Sequence, residues 1–320
     1  MPDLQHNVMQ PAAAKPSRGK WNFIKRDLIR NRYIYLMLLP VIAYYGLFHY
    51  GPMYGLLIAF KDYGIADGVW GSPWVGLDHF QSFFNNHYFW RLIRNTLMIN
   101  FFQLLIAFPA PIILALLLNE LRSVLFKRVV QTISYLPHFI SIVVVVGMIV
   151  DFVARDGLIN NILGMFGIEP IAFLQEPGWF RPLYISSEVW QGIGWGSIIY
   201  LAAMSTIDPA LYDAARIDGA GRFKQTWHVT IPGIMPTIVI LLILNIGAML
   251  SLGSEKIILL YNPLTYETAD VISTYVYRKG ILGADFGYSA AVGLFNSVIS
   301  FILLTLANTI SKRLSEHRLW

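Results

Sequence analysis

Six stretches of this chain are each about as long and as apolar as a bilayer-crossing helix, which needs roughly 20 mostly apolar residues. They cover residues 33–60, 92–118, 129–153, 183–204, 236–257 and 289–310. No soluble domain of this size accommodates six such runs. Apolar residues make up 56% of the 320-residue chain and charged ones only 13%, too few to coat a water-facing surface. Valine-rich runs such as 143–146 raise the option of strands. The segments are twice the length of a barrel strand and do not alternate polar with apolar, so helices are the better reading. The sequence predicts an all-α membrane protein with six spans.

Charge orients the chain. Lys20, Lys25, Arg26, Arg30 and Arg32 crowd against the first apolar run, which is too long for a signal-peptide core. With the N-terminus inside, the same side holds Arg122, Lys127, Arg128, Arg216, Arg222, Lys224, Lys312, Arg313 and Arg318. The other side holds Lys61, Arg91, Arg94, Arg155, Arg181, Lys256, Arg278 and Lys279, a bias of roughly two to one inward. The expected plan is a cytoplasmic tail and basic flank (1–32), a six-span domain (33–311) and a cytoplasmic C-terminal tail (312–320), with both termini inside. Segments 62–90 and 154–181 form long outer loops with room for short surface helices. Their Trp70, Trp74, Trp90 and Trp179 are interfacial anchors or part of a landing surface for an external partner.

The chain has no cysteine, so it has neither a disulfide framework nor a thiolate metal site. No Gly-x-x-x-x-Gly-Lys-Ser/Thr phosphate loop, His-Glu-x-x-His pair or Gly-x-Ser-x-Gly elbow occurs. The chain is expected to bind no metal and no nucleotide of its own. His138 reads as a hydrogen-bonded core histidine. The positive net charge does not point to nucleic acid, because the basic residues gather at span ends.

The most informative segment lies between the fourth and fifth spans, at 208–236. Asp208 is a good N-cap and Pro209 suits the first helical position. Leu211, Ala214 and Ala215 fall on one side of a short helix, and Gly219 can take the left-handed conformation that ends it. Phe223, Trp227 and Ile231 then mark a second amphipathic stretch, and Pro232 and Pro236 are expected to re-aim the chain into the fifth span. The prediction is a helix–turn–helix knob whose small residues let another surface approach.

This segment resembles the cytoplasmic loop of bacterial ABC importer permeases, the binding-protein-dependent inner-membrane components, whose pattern is Glu-Ala-Ala, three residues, Gly, about nine residues, Ile/Leu-Pro. Asp213, Ala214, Ala215, Gly219 and Ile231-Pro232 hold those positions, with Asp in place of Glu. The resemblance implies the type I permease fold and a coupling helix seated in a groove of an ATPase subunit. Tyr212, Asp213, Ala214, Ala215, Asp218, Gly219, Ala220, Phe223 and Pro232 are the candidate coupling residues. It also implies two ATP-binding subunits that hold ATP and Mg, an external solute-binding protein, and location in the bacterial inner membrane. The chain has no internal duplication, so a second permease subunit is expected to complete the pathway.

Three further stretches, 227–233, 259–263 and 269–278, resemble the carbohydrate branch that imports complex oligosaccharides. The resemblance extends to acidic cargoes derived from pectin or alginate. In that group the spans flanking the coupling loop line the pathway. Glu188, Gln191, Gly192 and Trp195 sit at i, i+3, i+4 and i+7 on the fourth span, and Asn245 and Met249 share a face of the fifth. Gln191, Trp195 and Asn245 supply the hydrogen-bonding and aromatic groups that sugars use, and Glu188 is an ionisable group within a span. That face has no Arg or Lys, which does not favour an anionic sugar unless the partner permease supplies cations. Asp151 and Glu255 fall near span ends, while Asn100, Gln103 and Asn296 read as interhelical contacts. An ion-coupled secondary transporter is the alternative; it would show carboxylates deep in several spans and an internal repeat, and neither is evident.

Overall fold

A computed structural model describes residues 27–248 and 254–314. The chain divides into two compact units, 1–56 and 57–320. In the first, α1 (Arg32–Tyr45) continues through a π turn at Gly46–Tyr50. None of the 18-residue apolar window in the helical run Arg32–Phe60 is buried within the protein.

The second unit is helical, and a lone bridge between Lys61 and Trp74 is the only β pairing among the described residues. A surface helix, α2 (Asp78–Phe84), precedes α3 (Phe89–Phe102) and α4 (Pro109–Glu120), which together form one apolar run. Next come α5 (Val124–Tyr135), α6 (Ile142–Val153) and a second surface helix, α7 (Leu158–Met165). The short helices α2 and α7 occupy the two loops in which the sequence leaves room for them. The long α8 (Pro177–Met204) leads to α9 (Pro209–Ile217), α10 (Arg222–Gln225) and α11 (Ile231–Ala248). Short helices α12 (Ser254–Leu260), α13 (Tyr266–Ala269) and α14 (Ile272–Tyr277) precede α15 (Phe286–Leu314).

Among the described residues four helical runs are long and apolar enough to cross a membrane, and a fifth is if the bent pair α5–α6 counts as one span. Their apolar windows are at most 17% buried, so most of their apolar surface is left for lipid or for another subunit. Helix α8, at 28 residues, has the length of a span but is more polar than the others. The expected straight third span, 129–153, is instead two helices meeting at 102°. Pro137 sits in a 3₁₀ turn, Ile140 is extended, and the Ser141 side chain accepts from the Val144 N–H to start α6 afresh.

Prolines do not re-aim the fifth span as the sequence suggests. Residues 222–248 form one helical run through both Pro232 and Pro236. The reason is local. A proline cannot donate its backbone hydrogen bond and crowds the preceding turn. Here a π turn at Thr226–Thr230 precedes Pro232, with the Ile231 N–H reaching five residues back to Thr226 O. The same device precedes Pro109, through Phe108 N–H to Gln103 O, and Pro52, through Gly51 N–H to Gly46 O. Widening the turn ahead of each proline lets the helix continue.

Helix α8 is the hub. It packs on α4 and α11 around Ala115, Tyr200, Met204 and Ile234, and on α3, α6 and α12 around Ile99, Val146, Tyr184 and Ile257. Gly194 makes its closest approach possible: a Cβ there would collide with the backbone carbonyl of Ser134 on α5.

Candidate functional site: a knob and a cavity joined by one helix

The knob forms as its local signals direct. The Asp208 carboxylate accepts from the Ala210 N–H at 2.9 Å and starts α9. Gly219 adopts φ +75° just past its end. The Ala220 N–H then reaches Ala215 O at 2.8 Å and the Gly219 N–H reaches Arg216 O at 3.0 Å, the paired closure of a Schellman motif. Three side-chain bonds fix the turn: Tyr212 Oη to Thr230 Oγ1 at 2.9 Å, Gln225 Nε2 to Ala220 O at 2.7 Å, and Arg222 Nη1 to Glu120 Oε2 at 3.3 Å. Asp213 pairs with Arg216 at 3.1 Å, both largely in solvent, where such a pair is worth little.

The knob presents uncovered apolar side chains: Ile217 and Phe223 are 87% and 81% exposed, and Leu211 and Trp227 join them. Phe223 and Trp227 stack with ring centroids 6.5 Å apart. Asp213, Ala214, Asp218, Gly219 and Pro232 are also exposed, while Tyr212, Ala215 and Ala220 are half-buried. Such a patch on a small, rigidly closed turn marks a contact surface.

Four residues back along the chain, α8 lines a cavity of about 450 Å³. One row of α8, Tyr184, Glu188, Gly192, Gly196 and Tyr200, forms a wall. Gln103 and Pro111 from the α3–α4 run, and Leu241 and Asn245 from α11, form the others. Glu188, Gly192 and Asn245 are therefore together, as the sequence suggests. Gln191 and Trp195 are not among the lining residues. Gln191 Nε2 donates to the Ile140 carbonyl at 3.3 Å, an acceptor freed by the bend before α6. Trp195 stacks flat on His138, 4.5 Å between centroids. His138 is exposed and ring-stacked rather than in the core. Met249 lies outside the described residues.

Sequence reasoning placed Lys256 among the outer charges and found no cation on the cavity face. The structure buries Lys256 completely and sets its Nζ 2.7 Å from Glu188 Oε1, with Glu188 31% exposed. A desolvated ammonium needs a partner, and Glu188 supplies it. Gln103, read as interhelical glue, contacts Tyr184 Oη at 3.4 Å and also lines the cavity.

A second polar cluster joins α3, α8, α13 and α14 at the end of α8 away from the knob. The Asp270 carboxylate, fully buried, accepts two 2.8 Å bonds from Arg278, one from Arg91 at 3.1 Å and one from Thr274 at 2.9 Å. Burial disfavours the Arg278 charge, yet its bonds to Asp270 hold its pKa above the usual range. Buried Asn95 donates to the Glu267 and Asp270 carbonyls and accepts from Arg181 at 2.9 Å. The motif residues at 269–278 thus build this cluster.

The chain is similar to known proteins over most of its length. Residues 107–316 match the family described as binding-protein-dependent transport system inner membrane component. The chain is 48% identical to Protein LplB of Bacillus subtilis, covering 92% of each chain. It is 49% identical to the polygalacturonan/rhamnogalacturonan transport system permease protein YteP of the same organism, covering 99% of each. A crystal structure of a bacterial ABC transporter that imports the acidic polysaccharide alginate contains a chain 46% identical to this one. The two superpose with a TM-score of 0.86 over 92% of this chain and 99% of that one. The family match spans more than half the chain and takes in both knob and cavity, so this chain belongs to the binding-protein-dependent inner-membrane component family and is a permease subunit of an ABC importer.

Proposed function

We propose that this chain carries an acidic oligosaccharide into the cytoplasm, driven by ATP and Mg bound on two separate ATPase subunits. The chain itself has no ATPase site. It works beside a second permease subunit and receives cargo from an external binding protein. α8 and the bent α5–α6 pair complete six spans, with the knob and both termini cytoplasmic. Residues 33–311 form the permease domain with its coupling loop at 208–236.

One observation carries the reading. The helix that walls the cavity at Glu188 and Gly192 ends at Met204, and the knob begins at Asp208. A push on the knob is therefore delivered to the cavity wall across the short turn at 205–207 and along α8. Helix α11, which bears Asn245, leaves the other side of the knob without a break from Arg222. Tyr212, Asp213, Ala214, Ala215, Asp218, Gly219, Ala220, Phe223 and Pro232 form the docking and coupling segment, in which the exposed apolar groups enter the ATPase groove. Glu188, Gly192 and Asn245 contact the saccharide. Gln191 and Trp195 act from the adjoining face.

The acidic cargo is supported by one relative named for polygalacturonan/rhamnogalacturonan transport and one solved neighbour named for alginate import. The test is uptake of labelled uronate oligosaccharides into vesicles holding the whole complex and its binding protein. ATP-dependent uptake that collapses in Asp213→Ala or Gly219→Val supports the reading. Uptake driven by an ion gradient without ATP, or knob variants with full uptake, would sink it.

A further inference from the structure

The cluster at the far end of α8 contains more cation than its fold requires. Arg91 and Arg278 share one carboxylate, Asp270. Arg181 bonds only to neutral acceptors, Asn95 Oδ1 at 2.9 Å and Thr268 O at 3.4 Å. Arg94 has a single 3.4 Å bond to the Glu267 carbonyl. Neither forms an ion pair with a carboxylate among the described residues. Arg94 and Arg181 are also close enough to repel each other, and the buried Arg91 Nε has no partner among the described residues. Four guanidiniums gather here, and the one buried carboxylate, Asp270, pairs with Arg91 and Arg278, so Arg94 and Arg181 are left without a carboxylate partner among the described residues.

Position makes this excess useful. Arg181 precedes Glu188 by seven residues, so both lie on one side of α8, about 10 Å apart along its axis. The cluster thus stands above the cavity, on the side from which cargo arrives if the knob is cytoplasmic. Two of its arginines are stacked on rings, Arg278 4.5 Å from the Tyr266 centroid and Arg91 4.5 Å from that of Tyr88, and Arg181 is held by its 2.9 Å bond to Asn95 Oδ1. Fixed guanidiniums are suited to carboxylates, which they bind through paired donors, and tyrosine faces suit sugar rings. The cavity below is neutral, because Lys256 offsets Glu188.

We propose that Arg94 and Arg181 form an outer subsite for the carboxylate of a uronate residue, which draws an acidic oligosaccharide off the binding protein toward the cavity. The residues that fold this subsite, 269–278, include Asp270 and Arg278, whose role is to hold α13 and α14 in place. The proposal rests on the acidic-cargo reading above, and its test separates the two.

The complex is reconstituted with its second permease, ATPases and binding protein, and uptake of a galacturonate tetrasaccharide is measured. Arg94→Gln, whose lost hydrogen bond is long and exposed, is expected to lower uptake at limiting substrate about tenfold, and Arg94→Lys, which keeps the charge but loses the paired donors, to recover only part of it. Arg181→Gln is expected to act the same way. Affinity of the loaded binding protein for the complex should not change. Undiminished uptake in Arg94→Gln would overturn the proposal. So would a parallel loss of binding-protein affinity, which would make the arginines a docking site for that protein. A wild-type complex that imports neutral but not uronate oligosaccharides would instead refute the acidic-cargo reading itself.

Discussion

The Lys256–Glu188 pair makes an asymmetric prediction. The two charges are 2.7 Å apart, but Lys256 is fully buried while Glu188 keeps 31% of its side chain open toward the cavity. Removing one member of a buried pair costs about 3–5 kcal/mol when the survivor stays dry. Glu188→Met leaves the ammonium with no route to water and should cost that full amount. Lys256→Met leaves a carboxylate that the cavity can hydrate, so its cost should be nearer 1–2 kcal/mol. The double variant Glu188→Met/Lys256→Met removes both charges and should lie close to wild type, giving a coupling energy of about 4–7 kcal/mol. Thermal midpoints of the reconstituted complex, measured for all four proteins, complete the cycle. Additive losses would refute the pair's energetic role. A Lys256→Met variant less stable than Glu188→Met would refute the assignment of the dry side.

Other expectations follow from single contacts. Gly219→Ala places a Cβ at φ +75° and should cost about 1 kcal/mol, seen as ATP hydrolysis less tightly coupled to uptake. Gly194→Leu drives a side chain into the Ser134 backbone and should abolish assembly, read as loss of the complex on size-exclusion chromatography. Tyr212→Phe deletes the 2.9 Å bond to Thr230 and should cost about 1 kcal/mol, with a lowered thermal midpoint and the same cargo range. Gly192→Leu fills part of the 450 Å³ cavity and should reduce uptake of longer oligosaccharides more than shorter ones, measured by competition.

The knob was legible because its determinants are local. Asp208 and Gly219 act on backbone groups within a few residues, and each does in the structure what its type suggests. The cavity face was half legible. Helical spacing groups Glu188, Gln191, Gly192 and Trp195, but where a side chain ends depends on what stands beside the helix. The bend at 136–141 leaves the Ile140 carbonyl free to hold Gln191 and brings His138 under Trp195. Signals for that bend were present, in Pro137 and the N-cap Ser141, but they lie inside an apolar run that reads as one span. The prolines misled in the opposite direction. Pro232 looks like a corner, and a π turn five residues long erases it. Nothing in residue type distinguishes a proline preceded by a widened turn from one that breaks its helix.

The buried charges were the hardest to read, since Lys256 and Glu188 are 68 residues apart and Asp270 and Arg91 179. A physical demand could have linked the first pair. An ionisable group inside a span needs an opposite charge at its depth, and Lys256 is the one cation in the predicted span 236–257. Its pairing alters the cargo argument. A lone Glu188 would repel a uronate, whereas a Glu188 neutralised at 2.7 Å offers the cavity a hydrogen-bond acceptor with little net charge. Neutral and acidic sugars could then pass the same wall. Under the outer-subsite proposal, discrimination by charge occurs where cation is in excess, at Arg94 and Arg181. Separating the two tasks has a kinetic logic: a carboxylate held tightly at the narrowest point would impede release, while one held at the entrance raises capture and leaves the cavity free to let go.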